Sequence, residues 1–376
     1  MIGVNGQYIF SVSIGDKEDF LKEDKFTSFI LIENIGLSLP YWELKFDCVF
    51  PELSRYFNEK QPIIVKFGTD INSLDSLNLI IKKPIVVPQS SGSSSVILRG
   101  FTEMHSYLEN EYMNVYPDCT SKDLMEQKAQ AYGLQFKSNI EATNDKMTYY
   151  QPGCSDFKLL FTEWLHSYYQ DNDIIIPTIT TKGILSYNSL KDLIANSDPE
   201  ELPAFTNSNP EKNEIQVDAN QGGDSNTTIS NSFGNYAKDR YIFDIDEGIF
   251  THVNVENSTP IISESKTTSV DESISKSSGF FVQSSNVHKK YYEQELINKQ
   301  KYFSIQSTKQ WVSVADSIVK DVYPGDLVMY MSKKPNGQVD DYVSGMYLVN
   351  RRVLSIKNRK VHTNFLLTRE NMNYSK

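Results

Sequence analysis

Cysteine and histidine, the residues that most often build disulfide frameworks and metal sites, are scarce in this sequence. Its 376 residues include three cysteines, Cys48, Cys119 and Cys154, and five histidines. An odd number of widely separated cysteines favours reduced or incidental thiols over a disulfide framework. The histidines show no spacing that would place two ring nitrogens on one metal ion. We therefore predict no metal site.

Long apolar runs are lacking too. The mean hydropathy is -0.43, and no stretch approaches the roughly 20 apolar residues of a transmembrane helix. The first twenty residues have no basic leader, and polar residues interrupt their apolar ones, so they predict a first strand rather than a signal peptide. Aromatic residues make up 12% of the chain, which is typical of a folded protein because disordered chains are poor in aromatics.

Motifs of catalysis and nucleotide binding are missing as well. The sequence contains no G-x-G-x-x-G, no Walker-type loop, no H-E-x-x-H and no G-x-S-x-G. Two acid and histidine pairs, Glu103 with His105 and Glu163 with His166, offer general acid–base chemistry, but neither has a nucleophile motif or a third partner. We interpret Glu163 and His166 as the solvated face of a helix. The sequence thus predicts a protein that is not an enzyme and needs no cofactor.

Charge is unevenly distributed along the chain, whose formal net charge is -11. Residues 195–270 carry 4 basic and 13 acidic side chains, whereas residues 286–376 carry 15 basic and 8 acidic ones. An acidic chain is poorly suited to tight nucleic-acid binding, which depends on Lys and Arg. A like-charged surface lets a polyanion slide past it.

The basic excess near the end of the chain falls on one predicted hairpin. Two interpretations stay open: a solvated hairpin whose charges protect a strand edge, or a basic rim that docks an acidic partner. The salt dependence of binding distinguishes them. The residues are Arg351, Arg352, Lys357, Arg359 and Lys360.

The first hundred residues predict β structure. Trp42, Leu44 and Phe46 alternate with Glu43 and Lys45, which is the period of a strand with one buried and one wet face. Five more β-branched and aromatic segments are bounded by Gly, Pro and Ser. We expect one antiparallel barrel or sandwich from strands over 8–14, 27–33, 41–50, 62–68, 77–87 and 95–101.

From about residue 105 the pattern turns helical. Thr120 and Asp123 have the spacing of a capping box, and Gly133 suits the end of the helix that follows. After Ser155 as N-cap, an apolar stripe recurs at helical period, from Phe157 to Tyr168. A hairpin is predicted to turn near Gly183. Residues 105–194 therefore form a small α/β module.

The remaining chain predicts β structure with long loops. Residues 195–240 and 258–285 are rich in Asn, Ser, Thr, Gly and acids and predict loops, with short strands between them. A helix over 287–301 and strands from about 301 onward follow, ending in a hairpin with Asn358 at its tip. Pro324, Gly325 and Asp326 predict a tight turn that reverses the chain; its simplest interpretation involves no partner contact. The fold class is α+β, mainly β.

The order of these elements resembles the central baseplate hub proteins of contractile phage tails and is similar to the hub portion of type VI secretion spikes. FDCVFPELSRYFNEKQPIIVKFG resembles the family's strand, helical excursion and return strand. PDCTSKDLMEQKAQAYGLQF and QPGCSDFKLLFTEWLHSYY resemble two short helices that each follow a loop. YPGDLVMYM and SGMYLVNRRVLSIKNRKVHTNFLLTREN resemble the turn and terminal hairpin of the second barrel. The resemblance covers nearly the whole chain.

The resemblance implies two tail-tube-like antiparallel β-barrel domains, residues 1–104 and 195–376, with the small α/β module 105–194 between them. It implies a homotrimer that presents six barrels and joins a sixfold tail tube to a threefold spike while DNA passes through. The implied partners are the tube protein, the spike, the tape-measure protein and surrounding baseplate proteins. The implied location is the virion tail, after synthesis in the host cytoplasm.

Two other functions remain open at this stage. An adhesin or carbohydrate-binding tail protein would use the 22 tyrosines and the loops as a sugar platform, because aromatic rings offer rigid amphipathic contact area. A tail-associated cell-wall hydrolase is the third option. A glycan array tests the first of these, and zymography tests the second.

Overall fold

The computed structural model describes residues 9–14, 17–21, 26–49, 60–68, 74–88, 93–210, 214–224, 239–244, 248–254, 261–262, 278–282, 288, 290–291, 293–357 and 360–370. The predicted hairpin tip Asn358, residue Arg359 and most of the predicted loop 258–285 lie outside this set. The mainly β, α+β class predicted from the sequence is confirmed.

The first part of the chain consists of strands, and all six predicted ones are present. A short strand, β2, follows β1 and was not predicted, because its sequence KEDFL is mostly charged. The strands are β1 (Ile9–Ile14), β2 (Lys17–Leu21), β3 (Phe26–Asn34), β4 (Tyr41–Val49), β5 (Pro62–Gly68), β6 (Asp75–Pro88) and β7 (Ser93–Thr102).

The middle part contains the predicted helices and hairpin. The capping box forms at Thr120, Ser155 caps the next helix, and Gly183 has the positive φ of the predicted hairpin turn. The elements are α1 (His105–Glu109), β8 (Glu111–Cys119), α2 (Ser121–Ala131), β9 (Gln135–Lys137), β10 (Met147–Ser155), α3 (Asp156–His166), β11 (Ile175–Ile179), β12 (Ile184–Ser189) and α4 (Leu190–Ala195).

The last part departs from prediction in three places. Three short strands, β13 to β15, lie in the predicted loop 195–240, and β18 lies in the second predicted loop. The predicted strand 301–308 is wrong, because the helix continues to Ser304 and the next strand begins at Thr308. The elements are β13 (Ala204–Thr206), β14 (Glu214–Gln216), β15 (Ala219–Asp224), β16 (Asp239–Asp244), β17 (Ile249–Asn254), β18 (Ser278–Val282), α5 (Gln294–Ser304), β19 (Thr308–Ala315), β20 (Leu327–Met331), β21 (Gly345–Lys357) and β22 (Lys360–Arg369).

One 14-stranded sheet joins the two ends of the chain. Strand β21 pairs antiparallel with β3, placing Val353 opposite Ile32, and the sheet curls around two hydrophobic clusters. The first cluster combines side chains of the N-terminal strands with Leu354, Ile356 and Val361 of the terminal hairpin. The second belongs to β13 and β19–β22. The two predicted β units therefore share one continuous sheet, and their boundaries at residues 104 and 195 stay a prediction.

The middle module has its own core, built on α2, α3 and the strands around them. It contacts the large sheet through a smaller cluster that contains Ile35, Ile176, Ile305 and Leu348. Residues from all three parts of the chain thus meet in one apolar contact.

Candidate functional site

The acid and histidine pairs considered for catalysis do not form an open site. Glu163 is 0% exposed and His166 is 8% exposed, so the prediction of a solvated helix face is wrong for both. Helix α5 packs against α3, and His166 Nε2 lies 3.3 Å from Glu295 Oε2. Glu103 is exposed between β7 and α1, and His105 is the first residue of α1. The described side chains of these pairs therefore form no site that combines an accessible acid or base with a cavity.

The apolar stripe of α3 follows prediction only in part. Leu160 and Trp164 are buried, whereas Phe161 is 41% exposed. Glu163 and His166 lie outside the predicted stripe, yet both are buried. Helical period predicts which residues share a face, but the position of the covering helix decides which face is covered.

A buried lysine is the most perturbed base among the described residues. Lys301 of α5 is 2% exposed, and its Nζ donates to Asn172 Oδ1 at 2.6 Å. Burial lowers the pKa of Lys301 to about 8, because desolvation disfavours the ammonium form. A group so enclosed offers no access to a substrate. The described part of the chain also holds no cluster of three His, Cys, Asp or Glu side chains that would bind a metal ion.

A buried ionic contact joins the three parts of the chain. We call it the junction and define it by Glu33, Thr181, Tyr323 and Arg352. Arg352 Nη1 donates to Glu33 Oε2 at 2.6 Å, and the Thr181 amide and hydroxyl each donate to Glu33 Oε1 at 2.8 Å. Arg352 and Glu33 are 4% and 1% exposed. The carboxylate of β3 is therefore satisfied by the hairpin of the middle module and by β21 together.

Two cations lie over the aromatic ring of Tyr323, the fourth residue of the junction. The Arg352 Cζ lies 4.7 Å from the ring centroid, and Lys182 Nζ lies 4.4 Å from it. Arg352 Nη2 also donates to the Val319 carbonyl at 3.0 Å. Cations over an aromatic face are attracted by the ring quadrupole, so the tyrosine adds a further favourable contact for the buried guanidinium.

The turn predicted at Pro324, Gly325 and Asp326 comes immediately after Tyr323 in the chain. The Asp326 amide donates to the Tyr323 carbonyl at 3.1 Å, and the Tyr323 amide donates to Asp326 Oδ2 at 2.7 Å. Gly325 has φ +92°, and a Cβ at this position would lie 2.8 Å from Thr178 Oγ1. Desolvation by the surrounding chain raises the pKa of Asp326 above its usual range, although the residue itself is exposed. Glycine is needed here both for the left-handed backbone and for close approach to β11.

The predicted basic cluster is divided between the core and the surface. Arg352 is buried in the junction, and Arg351 Nε donates to Asn34 Oδ1 at 2.6 Å. Lys357 and Lys360 are exposed at the ends of β21 and β22. Arg351 and Arg352 therefore hold the sheet together, because pairing with β3 places them beside its polar groups. The exposed part of the cluster, which we call the basic tip, is Lys357 and Lys360.

An exposed apolar face lies on the ribbon formed by β8 and β10. Met113 and Val115 are 85% and 57% exposed, and Tyr150, opposite Val115, is 46% exposed. The other face of the ribbon is held down by Gln151, whose Nε2 donates to Asp156 Oδ1 at 2.8 Å. Clustered exposed apolar side chains commonly mark interaction surfaces.

The fold is that of bacteriophage tail proteins and of a related component of the type VI secretion system. Solved structures of both kinds match almost the whole chain at 9–12% sequence identity, which establishes a shared fold. The resemblance to a baseplate hub predicted from the order of elements is thereby confirmed at the level of the fold. No known family profile and no curated protein sequence matches the chain.

Three of these structures illustrate the likeness. A 43 kDa tail protein of prophage MuSo2 from Shewanella oneidensis matches with TM-score 0.60 and 10% identity, over 97% of this chain and 100% of its own. A tail protein from Neisseria meningitidis matches with TM-score 0.58 and 12% identity, over 96% and 97%. A type VI secretion component from E. coli, described as similar to two phage T4 tail proteins, matches with TM-score 0.53 and 9% identity, over 97% and 79%.

Proposed function

We propose that this chain is a structural subunit of the central baseplate hub of a phage tail or a related contractile injection machine. The observation that carries the proposal is the fold match over 96% of this chain and 97% of a tail protein's own length. A match of this extent spans the strands, the middle module and the terminal hairpin together. The role is structural rather than catalytic, and its location is the tail of the virion.

The finer proposal is a homotrimer that presents a pseudo-sixfold ring. One chain contributes two curled β regions, so three chains contribute six, which suits contact between a sixfold tube and a threefold spike. The proposed partners are the tube protein, the central spike, the tape-measure protein and neighbouring baseplate proteins. The net charge of -11 supports a channel that repels DNA and lets it pass.

Surfaces suited to assembly support this proposal. Within the described strands, β2 pairs with β1 alone and β15 pairs with β19 alone, so each leaves one edge for another chain. Open edges promote pairing between chains, and closure into a ring satisfies them without endless growth. The apolar face of the β8–β10 ribbon is a further surface of this kind.

Solution mass tests the trimer. We expect light scattering of the purified chain, across a concentration series, to give three times the mass of one chain, and particle images to show a ring with a pseudo-sixfold outline. Addition of purified spike protein controls for assembly that needs a partner. A chain that stays monomeric at every concentration, with and without the spike, would contradict the proposed hub.

A further inference from the structure

A shallow cavity of about 520 Å³ opens on the sheet beside β15, β19, β21 and β22. Its size falls in the range of roughly 300–1,000 Å³ that is typical of small-molecule sites. The side chains that matter for recognition are Gln221, Trp311, Ser313, Val353 and Asn364. None of them takes part in the junction, the basic tip or the apolar ribbon.

Strand register explains why these side chains share one face. Trp311 of β19 lies opposite Gln221 of β15, and Ser313 lies opposite Asn364 of β22, which in turn lies opposite Val353 of β21. Residues that alternate with them, such as Val312, point into the core instead. Trp311 stays 36% exposed, so its indole forms one wall of the cavity.

The lining combines an apolar platform with uncharged hydrogen-bonding groups. Indole and Val353 offer apolar surface, while two carboxamides and one hydroxyl offer donors and acceptors. None of the five side chains carries a charge. Of the described cations on the same face, Arg351 is bound to Asn34, Lys309 lies two residues before Trp311, and Lys357 and Lys360 lie four residues beyond the cavity at the ends of β21 and β22. An anionic ligand would need charge-assisted partners, so this composition favours a neutral, polyhydroxylated ligand.

We propose that this cavity binds a neutral saccharide, with the C–H face of a pyranose ring against Trp311 and its hydroxyls bonded to Gln221, Ser313 and Asn364. The cavity lies next to strand β15, whose further residues Gly222 and Gly223 carry no side chains. The inference goes beyond the proposed structural role and stands or falls independently of it.

Tryptophan fluorescence provides a direct test on the whole chain. The protein has three tryptophans, and Trp42 and Trp164 are 0% and 2% exposed, so a ligand-induced change reports Trp311. We expect tetra-N-acetylchitotetraose or maltotetraose to change the emission saturably, with half-saturation at about 1 mM, the affinity range of a weak site. Absence of any saturable change with both neutral tetrasaccharides up to about ten times that concentration would overturn the proposal.

Single-residue variants distinguish saccharide binding in this cavity from non-specific binding elsewhere on the protein. Asn364→Ala keeps the fluorophore and is expected to weaken saccharide binding about three- to tenfold, through loss of a hydrogen-bonding side chain. Trp311→Ala removes the fluorophore, so its binding is measured by calorimetry, and we expect no saccharide binding. Tyr150→Ala on the β8–β10 ribbon should leave saccharide binding unchanged. Wild-type affinity in Trp311→Ala, or saturation by an uncharged peptide but by neither saccharide, would contradict the proposal. Light scattering of the same variants measures their oligomeric state, so that a loss of saccharide binding is distinguished from a loss of the trimer.

Discussion

At the scale of single residues, the junction shows how a buried ion pair ties distant parts of the chain. Glu33 and Arg352 are separated by 319 positions, yet they form a contact of 2.6 Å. Removing two charges from water costs several kcal/mol, which the pair recovers through mutual attraction and the added bonds from Thr181. The sequence indicated the basic cluster but not the partner of Arg352, because nothing local marks a contact across so many residues.

Removing one partner of this pair is expected to destabilise the protein strongly. Glu33→Gln leaves a buried guanidinium without its countercharge and should lower the free energy of unfolding by about 3–5 kcal/mol. The measurement is urea unfolding followed by circular dichroism.

The double variant Glu33→Leu with Arg352→Met is the matched control. It removes both charges and should be less destabilised than Glu33→Gln, because no uncompensated charge remains. Additive effects of separate substitutions at the two positions would show that they are not coupled, contrary to this interpretation.

At the scale of elements, helix α2 follows directly from its sequence. The Asp123 amide donates to Thr120 Oγ1 at 3.1 Å, and the Thr120 amide donates to Asp123 Oδ2 at 2.9 Å. This capping box was predicted from two residues at the correct spacing. Helix caps are predictable because their partners are adjacent in the chain. The burial of His166 in α3 was not predictable, since it depends on Glu295 of α5, more than 120 residues further on.

Loss of the N-terminal cap of α2 should lower the stability of the protein moderately. Thr120→Ala removes the acceptor for the Asp123 amide and should lower the free energy of unfolding by about 1 kcal/mol. Thr120→Ser keeps the hydroxyl and is expected to stay near wild type. The midpoint of urea denaturation checks both variants, and equal stability of Thr120→Ala and wild type would contradict a stabilising cap.

At the scale of the whole molecule, charge is unevenly distributed. The chain carries a net charge of -11, whereas the basic tip presents Lys357 and Lys360 on exposed strand ends. Such a tip suits an acidic partner and lies away from the buried arginines of the same cluster. Electrostatic contacts of this type set association rate and partner choice more than affinity.

Salt dependence tests docking by the basic tip. On the proposed hub role, co-sedimentation with purified tail tube should weaken as salt rises from about 0.1 M to 1 M, where the Debye length falls from about 10 Å to about 3 Å. Lys357→Glu with Lys360→Glu should weaken it about tenfold at low salt. Lys66→Glu with Lys83→Glu makes the same charge change at other exposed positions and serves as control. Equal binding by both pairs of variants would show that the tip only protects a strand edge.

Strands, caps and turns of this protein follow from local chemistry alone. Alternation in β4, the capping box at Thr120 and the positive φ at Gly325 each depend on residues within a few positions of one another, and the order of the elements was enough to indicate the fold. Short strands in polar surroundings, such as β15, escaped prediction because their pairing partner, β19, supplies most of their stability.

Packing between distant parts of the chain decided the features that local sequence did not predict. The continuous sheet through β3 and β21, the burial of His166, the junction and the cavity at Trp311 all join residues far apart in sequence. The one local signal for that cavity is an aromatic residue on the polar face of an alternating strand, with Lys309 and Ser313 as its neighbours. A side chain's neighbours across a sheet depend on strand order and register, and those are settled only when the whole chain has folded.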